Sequence, residues 1–267
     1  MSMKMAAHHN GTESHNCCPA TRRELEIALA VYYSIIAMTG IAGNSLVINV
    51  VRRNPHMKTT TNIMLMNLAA ADILSLIGSL PKRYFDVIDL YPTGEQGKWL
   101  CKFFAANNMA AITLTVSVYT LILLAVERYH ALVKPFTLPR IHENNVVYTL
   151  SVTWIVASVV QIPAFIETTF NKDSGSCESP WTSKAVAHSM KNAVIVIITL
   201  NVFLPIVVIS ISYGFVITAI KTTNARTFDP RDLQSKKKIV KLLLVVTMVF
   251  YACFLPFGLY IDRKSVV

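Results

Sequence analysis

The sequence predicts an all-α membrane protein built as a bundle of transmembrane helices, and three observations carry that prediction. Of its 267 residues 53% are hydrophobic and 15% charged, with a mean hydropathy of +0.47, whereas soluble domains average nearer a quarter charged. The apolar residues are gathered into six runs, at about 25–51, 61–80, 103–126, 146–165, 193–220 and 239–261. Each run meets the roughly 20 residues that a helix needs to span a bilayer. They are read as helices because an open sheet edge in lipid would leave backbone groups unsatisfied. A soluble bundle of buried helices is the alternative for such runs, and the shortage of charge weighs against it.

Orientation follows from the ends of these runs. Residues 1–24 hold no apolar run of the length a cleaved signal peptide needs, so the first helix is expected to act as its own insertion signal. The first, third and fifth connections carry thirteen basic residues, against ten for the N-terminal tail with the second and fourth connections. The tetrad Lys236, Lys237, Lys238 and Lys241 lies directly beside the sixth run, where the positive-inside bias counts most. The expected arrangement is an extracellular tail at 1–24, a bundle at 25–261 and a short tail at 262–267. The net charge of +10 then sits mainly at the cytoplasmic face, near anionic membrane lipid, and nucleic acid is not an expected partner. With the N-terminus outside, Asn10-Gly11-Thr12 is a usable glycosylation sequon at Asn10. Cys101 and Cys177 both fall on the oxidising side, where a bridge would pin the long 168–189 connection over the helix ends. Cys17 and Cys18 are adjacent and poorly placed to pair with each other, and Cys253 reads as a buried thiol.

Polar residues inside apolar helices are costly and each asks for a reason. In order, the first helix holds Asn44 within Gly43-Asn44-Ser45, and the Lys58-Thr59-Thr60-Thr61-Asn62 turn follows it. The second holds Asp72 within Asn67-Leu68-Ala69-Ala70-Ala71-Asp72. The third holds Ser117 and closes on Glu127-Arg128-Tyr129, followed by Lys134-Pro135-Phe136. The fourth carries Trp154. The fifth carries Phe203-Leu204-Pro205 with Tyr213 eight residues on, and the sixth Phe250-Tyr251-Ala252-Cys253-Phe254-Leu255-Pro256-Phe257.

Taken together, over about residues 25–260, these motifs resemble the rhodopsin-like (class A) G-protein-coupled receptors, whose fold is a bundle of seven helices. By that resemblance the chain is a receptor and not an enzyme. Its function is a ligand-biased equilibrium between two helix arrangements, read by a heterotrimeric G-protein at the cytoplasmic side of the plasma membrane. The resemblance implies that Arg128 pairs with Glu127 at rest and, once released, reaches Tyr213 or the G-protein, with Tyr129 completing the coupling triplet. Pro205, Val118 and Phe250 occupy the family's packing switch. Phe254 stands where tryptophan is more common, and Pro256 kinks the sixth helix, although a lipid-facing proline would also be tolerated. Asp72 with Ser117 resembles half of a sodium site, and a protonated Asp72 bonded to Asn44 is the other reading. The acidic residue that many relatives carry at the base of the sixth helix is Lys236 here.

Two departures stand out. Cys101 lies two residues further from Arg128 than the pattern implies. After Phe257 the chain reads ten more residues without a seventh helix, as expected of a bundle cut after six of its seven helices: a truncated gene product, a splice form or a fragment. Residues 103–124 hold no acidic residue of the kind amine receptors use, and the run Ser117 to Tyr129 with the long loop around Cys177 resembles the peptide-receptor branch. A retinal ligand stays open, since opsins hold it on the seventh helix. A non-signalling form that modulates full-length partners and an unrelated six-span transporter are the alternatives; the second would be expected to show internal repeats.

Overall fold

The computed structural model describes residues 19–88, 94–105, 107–133, 143–171, 176–179 and 184–222, with Lys238, Lys241, Leu244, Val245 and Met248. Its elements are α1 (Pro19–Arg53), α2 (Thr60–Ile88), α3 (Gly94–Leu100), α4 (Asn108–Leu132), α5 (Glu143–Glu167), β1 (Thr169–Asn171), β2 (Ser176–Glu178), α6 (Lys184–Ser189), α7 (Lys191–Ile198) and α8 (Leu204–Thr222). Wide π-helical turns join α3 to the α4 region at Cys101–Ala105 and α7 to α8 at Thr199–Phe203. Five helical spans among the described residues are long and apolar enough to cross a membrane. Of the sixth run, Lys241, Leu244, Val245 and Met248 are described, each in helical conformation. Asn10, Phe250, Phe254, Pro256 and Lys236 lie outside the described residues.

Helix ends depart from the apolar runs for physical reasons. At 35 residues α1 is about 50 Å long, well beyond the roughly 30 Å of hydrocarbon, so it starts six residues before Leu25, within the expected tail. Pro19 is tolerated in the first turn, where its missing N–H costs nothing. The second helix does not stop at Leu80 but runs through Pro81 to Ile88, and the Tyr84 hydroxyl ties this extension to Ser34 of α1 at 3.2 Å. The third span is not one helix over 103–126. Between Ala105 and Asn108 it breaks, with Asn107 in the left-handed region at φ 60°. Asparagine is among the few residues that visit this region readily. The π-turn and the left-handed Asn107 both fall between Cys101 and Arg128, the stretch whose spacing departs from the expected pattern. The fifth span is also interrupted: the Leu204 amide bonds to Thr199 O, five residues back. Pro205, next in line, has no N–H to offer Asn201 O, and the wide turn accommodates that loss.

The bundle is organised around α4. More than half of the third span is buried inside the protein, against 6% of the first. Helix α4 packs on α2, α5 and α8, and α1 packs on α2. Toward the end of the bundle that holds the α1–α2 turn, the inner end, Met64 and Leu68 of α2, Leu121, Leu124 and Ala125 of α4, Val146 and Leu150 of α5, and Ile209, Tyr213 and Val216 of α8 form one apolar cluster, against which Leu244 rests. Small residues bring the backbones close above it, where Ala71, Val116 and Ala157 meet beside Trp154. A Cβ on Gly40 would lie 2.7 Å from Leu76 Cδ1, and one on Gly78 3.4 Å from Met109 Cβ, so glycine sets the approach of α2 to both neighbours. In lipid, apolar burial gives helices little reason to associate; close packing and cross-helix hydrogen bonds supply the reason instead.

The outward faces of α5 and α8 are largely apolar. Val147, Val152, Ile155, Val159, Ile162 and Ile166 on α5 and Val207, Ile211 and Phe215 on α8 are exposed. A protein in water rarely shows such continuous patches, whereas a lipid-facing surface requires them.

Candidate functional site

At the inner end of the bundle, the turn between α1 and α2 is fixed locally. Thr59 caps α2, its hydroxyl accepting the Asn62 amide at 3.4 Å, while the Asn62 side chain donates to Met57 O at 2.7 Å. That fixes the first turn of α2 and turns the buried Thr61 toward α4. Glu127 and Arg128 are sequence neighbours near the inner end of α4, with side chains 12% and 15% exposed. Adjacent residues on a helix do not normally face each other. Here Arg128 folds back, and Nε and Nη2 both donate to Glu127 Oε2, at 2.6 and 2.5 Å. Arg128 Nη2 also donates to the Thr61 hydroxyl, and that hydroxyl donates to Glu127 Oε2 at 3.3 Å. Three side chains from two helices thus close one charge-assisted cluster. Tyr129 turns away from it and packs on Phe215 of α8, with ring centroids 5.7 Å apart. Tyr213 is buried in the apolar cluster below.

Further into the membrane Asp72 accepts a hydrogen bond from Ser117 at 2.8 Å. Asn44 instead directs its amide to Gly40 O of its own helix at 3.0 Å. Asp72 and Ser117 offer a cation at most three oxygen donors, fewer than the six or so that hard cations take, and among the described residues no three His, Cys, Asp or Glu side chains converge to add more. A second polar link lies nearby. Asn67 donates to Thr120 Oγ1 at 2.9 Å and accepts the Trp154 indole N–H at 3.0 Å, so one amide joins α2, α4 and α5. Of the switch residues, Val118 and Pro205 are both buried, on α4 and α8, two helices that pack together.

At the outer end, β1 and β2 pair antiparallel with Phe170 opposite Cys177. Cys177 is bonded to Cys101, with Cα atoms 5.6 Å apart, which fastens the hairpin to the start of the third span. Beneath it Phe103 stacks on Trp99 and meets Phe165 edge-on at 5.0 Å. Buried Asn108 donates to Lys102 O and to Thr168 Oγ1, at 2.8 and 2.9 Å, and Gln161 donates to Thr115 at 2.9 Å. Neither bonded pair was singled out from the sequence, although a polar side chain within an apolar run is the signal that would have found both.

Comparison with known proteins decides what this arrangement belongs to. The family model described as 7 transmembrane receptor (rhodopsin family) matches residues 43–262. The chain belongs to this family. Among similar proteins, Somatostatin receptor type 5 of Rattus norvegicus is 28% identical over 261 residues, which cover 96% of this chain and 69% of the relative. The Allatostatin-A receptor of Bombyx mori is 28% identical over 247 residues, 88% of this chain and 65% of the relative. Somatostatin receptor type 5 of Bos taurus is 30% identical over 234 residues, 86% of this chain and 61% of the relative. The chain thus spans about two thirds of the length of these relatives. Family membership and the lipid-facing shell together make it a multi-pass membrane protein of the receptor family.

Thr61 is the inner-end residue that motif reading passed over. It was visible only as a member of the Lys58–Asn62 turn. Its signal is a hydroxyl at a position of α2 that packing buries, and packing is set by tertiary contacts.

Proposed function

We propose that the chain acts at the plasma membrane, N-terminus outside, as a receptor that converts binding of an extracellular peptide into activation of a heterotrimeric G-protein. The observation that carries this reading is the cluster of Glu127, Arg128 and Thr61. It holds a permanent cation, nearly buried, at the inner mouth of the helix around which the bundle is organised. An arginine kept by a carboxylate and a hydroxyl is a stored donor set, available to a partner only after α4 and α2 shift. Ligand binding at the outer end supplies that shift if it favours the shifted arrangement. The peptide class is supported by the relatives, whose names are those of receptors for somatostatin and allatostatin-A. The hairpin fastened by Cys101–Cys177 favours an oxidising, extracellular outer face. Asp72 and Ser117 contribute oxygen donors toward a sodium ion, and Pro205 with Val118 contribute the packing around which α4 and α8 rearrange.

The test is nucleotide exchange on heterotrimeric G-proteins in membranes carrying the chain, challenged with somatostatin, allatostatin-A and a wider peptide panel. Peptide-dependent exchange that disappears with Arg128→Ala at equal surface level is the expected result. Exchange unaffected by Arg128→Ala would remove the arginine from the mechanism, and silence toward every peptide would remove the peptide class.

A further inference from the structure

We propose that the Thr61 hydroxyl is a second latch on Arg128: a positioning residue on α2 that holds the coupling arginine in its resting place and must release it when a G-protein engages. This rests on the receptor reading above. Among the described residues Thr61 is the partner of Arg128 on another helix; Glu127, its neighbour in sequence, travels with it on α4. A bond within one helix cannot resist movement of that helix against the next, whereas a bond to α2 can. Within this cluster, the restraint on Arg128 from α2 therefore lies in the hydroxyl.

The local geometry explains why the hydroxyl is free to reach across. Helical Thr and Ser residues usually bond back to the carbonyl four residues earlier. Thr113, Thr115, Thr120 and Thr153 all do so in this bundle. Thr61 stands in the first turn of α2, where no preceding helical turn offers such a carbonyl; the residue four back, Met57, lies in the turn before the helix, and its carbonyl accepts the Thr59 amide at 2.8 Å and the Asn62 side chain at 2.7 Å. With the inward acceptor occupied, Oγ1 turns to α4. There its single proton goes to Glu127 Oε2 while a lone pair takes the Arg128 Nη2 proton. A hydroxyl can do both at once, and neither an ammonium nor a methyl can. The methyl of threonine fixes the rotamer, and serine keeps the chemistry without it.

The latch is tested with Thr61→Val, which keeps the shape and removes the hydroxyl, and Thr61→Ser, which keeps it. In membranes carrying the full chain with heterotrimeric G-protein and no peptide, Thr61→Val is expected to raise basal exchange on the order of tenfold, the effect of one bond to a charged group on a two-state equilibrium. Thr61→Ser should stay within about twofold of the parent. A Thr61→Ser rate as high as that of Thr61→Val would overturn the proposal. A second measurement needs no G-protein: thermal unfolding in detergent of Thr61→Val, Arg128→Ala and the double variant. Overlapping losses, with the double variant no lower than Arg128→Ala, are expected. Strictly additive losses would overturn the latch. Exchange that responds to peptide in the parent but is unmoved by Thr61→Val would also overturn it while leaving the receptor reading intact. Silence of every variant and the parent, with overlapping thermal losses, would instead overturn the receptor reading.

Discussion

The indole N–H of Trp154 bonds to the amide oxygen of Asn67 at 3.0 Å, and the same amide donates to Thr120 at 2.9 Å. One side chain of α2 thereby fixes the rotation of α4 and α5 about their axes. Trp154→Phe keeps the ring and drops the donor. It should lower stability by about 0.5–1.5 kcal/mol, in the range of single hydrogen bonds between membrane helices. Asn67→Ala severs both links and should cost more, with little added by Trp154→Phe on top. Thermal unfolding of the two single variants and the double variant checks this, and full additivity would disprove the shared bond.

Gly40 faces Leu76 so closely that a Cβ would lie 2.7 Å from Leu76 Cδ1. That atom is the end of a flexible side chain, so Gly40→Ala should be tolerated at a cost of about 1 kcal/mol, as overpacking commonly gives. The same substitution in a Leu76→Ala background should be neutral or stabilising. Equal losses in both backgrounds would mean that the α1–α2 contact is not what the glycine serves.

Removing the carboxylate of the inner cluster by Glu127→Gln leaves Arg128 with one fewer anionic contact. Breaking a fully buried pair costs several kcal/mol, but Arg128 keeps some exposure and can extend toward solvent. A loss of about 1–3 kcal/mol with raised basal nucleotide exchange is expected. A variant as stable and as quiet as the parent would show that the pair does not hold the resting arrangement.

Cys101→Ser should free the β1–β2 hairpin from the third span and reduce the amount of protein at the cell surface. Peptide mapping without reduction should recover the two cysteine-bearing segments, Cys101 and Cys177, as one linked species. In the same preparations, glycosidase should shift the parent and leave Asn10→Gln unmoved. An N-terminus accessible only from the cytoplasm would reverse the proposed topology.

The first five spans were legible in the sequence because lipid imposes long apolar runs on a helix whatever its neighbours do. Their ends were less so. Helix α2 passes through Pro81 because it is anchored to α1 by Tyr84 and Ser34, a contact between residues fifty positions apart. The break at Asn107 and the wide turn before Pro205 are local departures from regular helix, which hydrophobic periodicity does not encode. At the inner end Glu127 and Arg128 were legible as a charged pair closing an apolar run. Thr61 was not, since a threonine at a helix start more often serves as a cap or faces solvent. Only the occupied Met57 carbonyl and the nearness of α4 give it another role.

The interrupted third span also has a rotational consequence. Each residue of α-helix turns its side chain by about 100°, so two additional residues in an unbroken helix would carry Cys101 some 200° around, to the side away from the hairpin. The wide turn at Cys101–Ala105 and the left-handed Asn107 interrupt that regular rotation, and the Cys101 sulfur is bonded to Cys177. Length and angular phase are therefore separable in this segment.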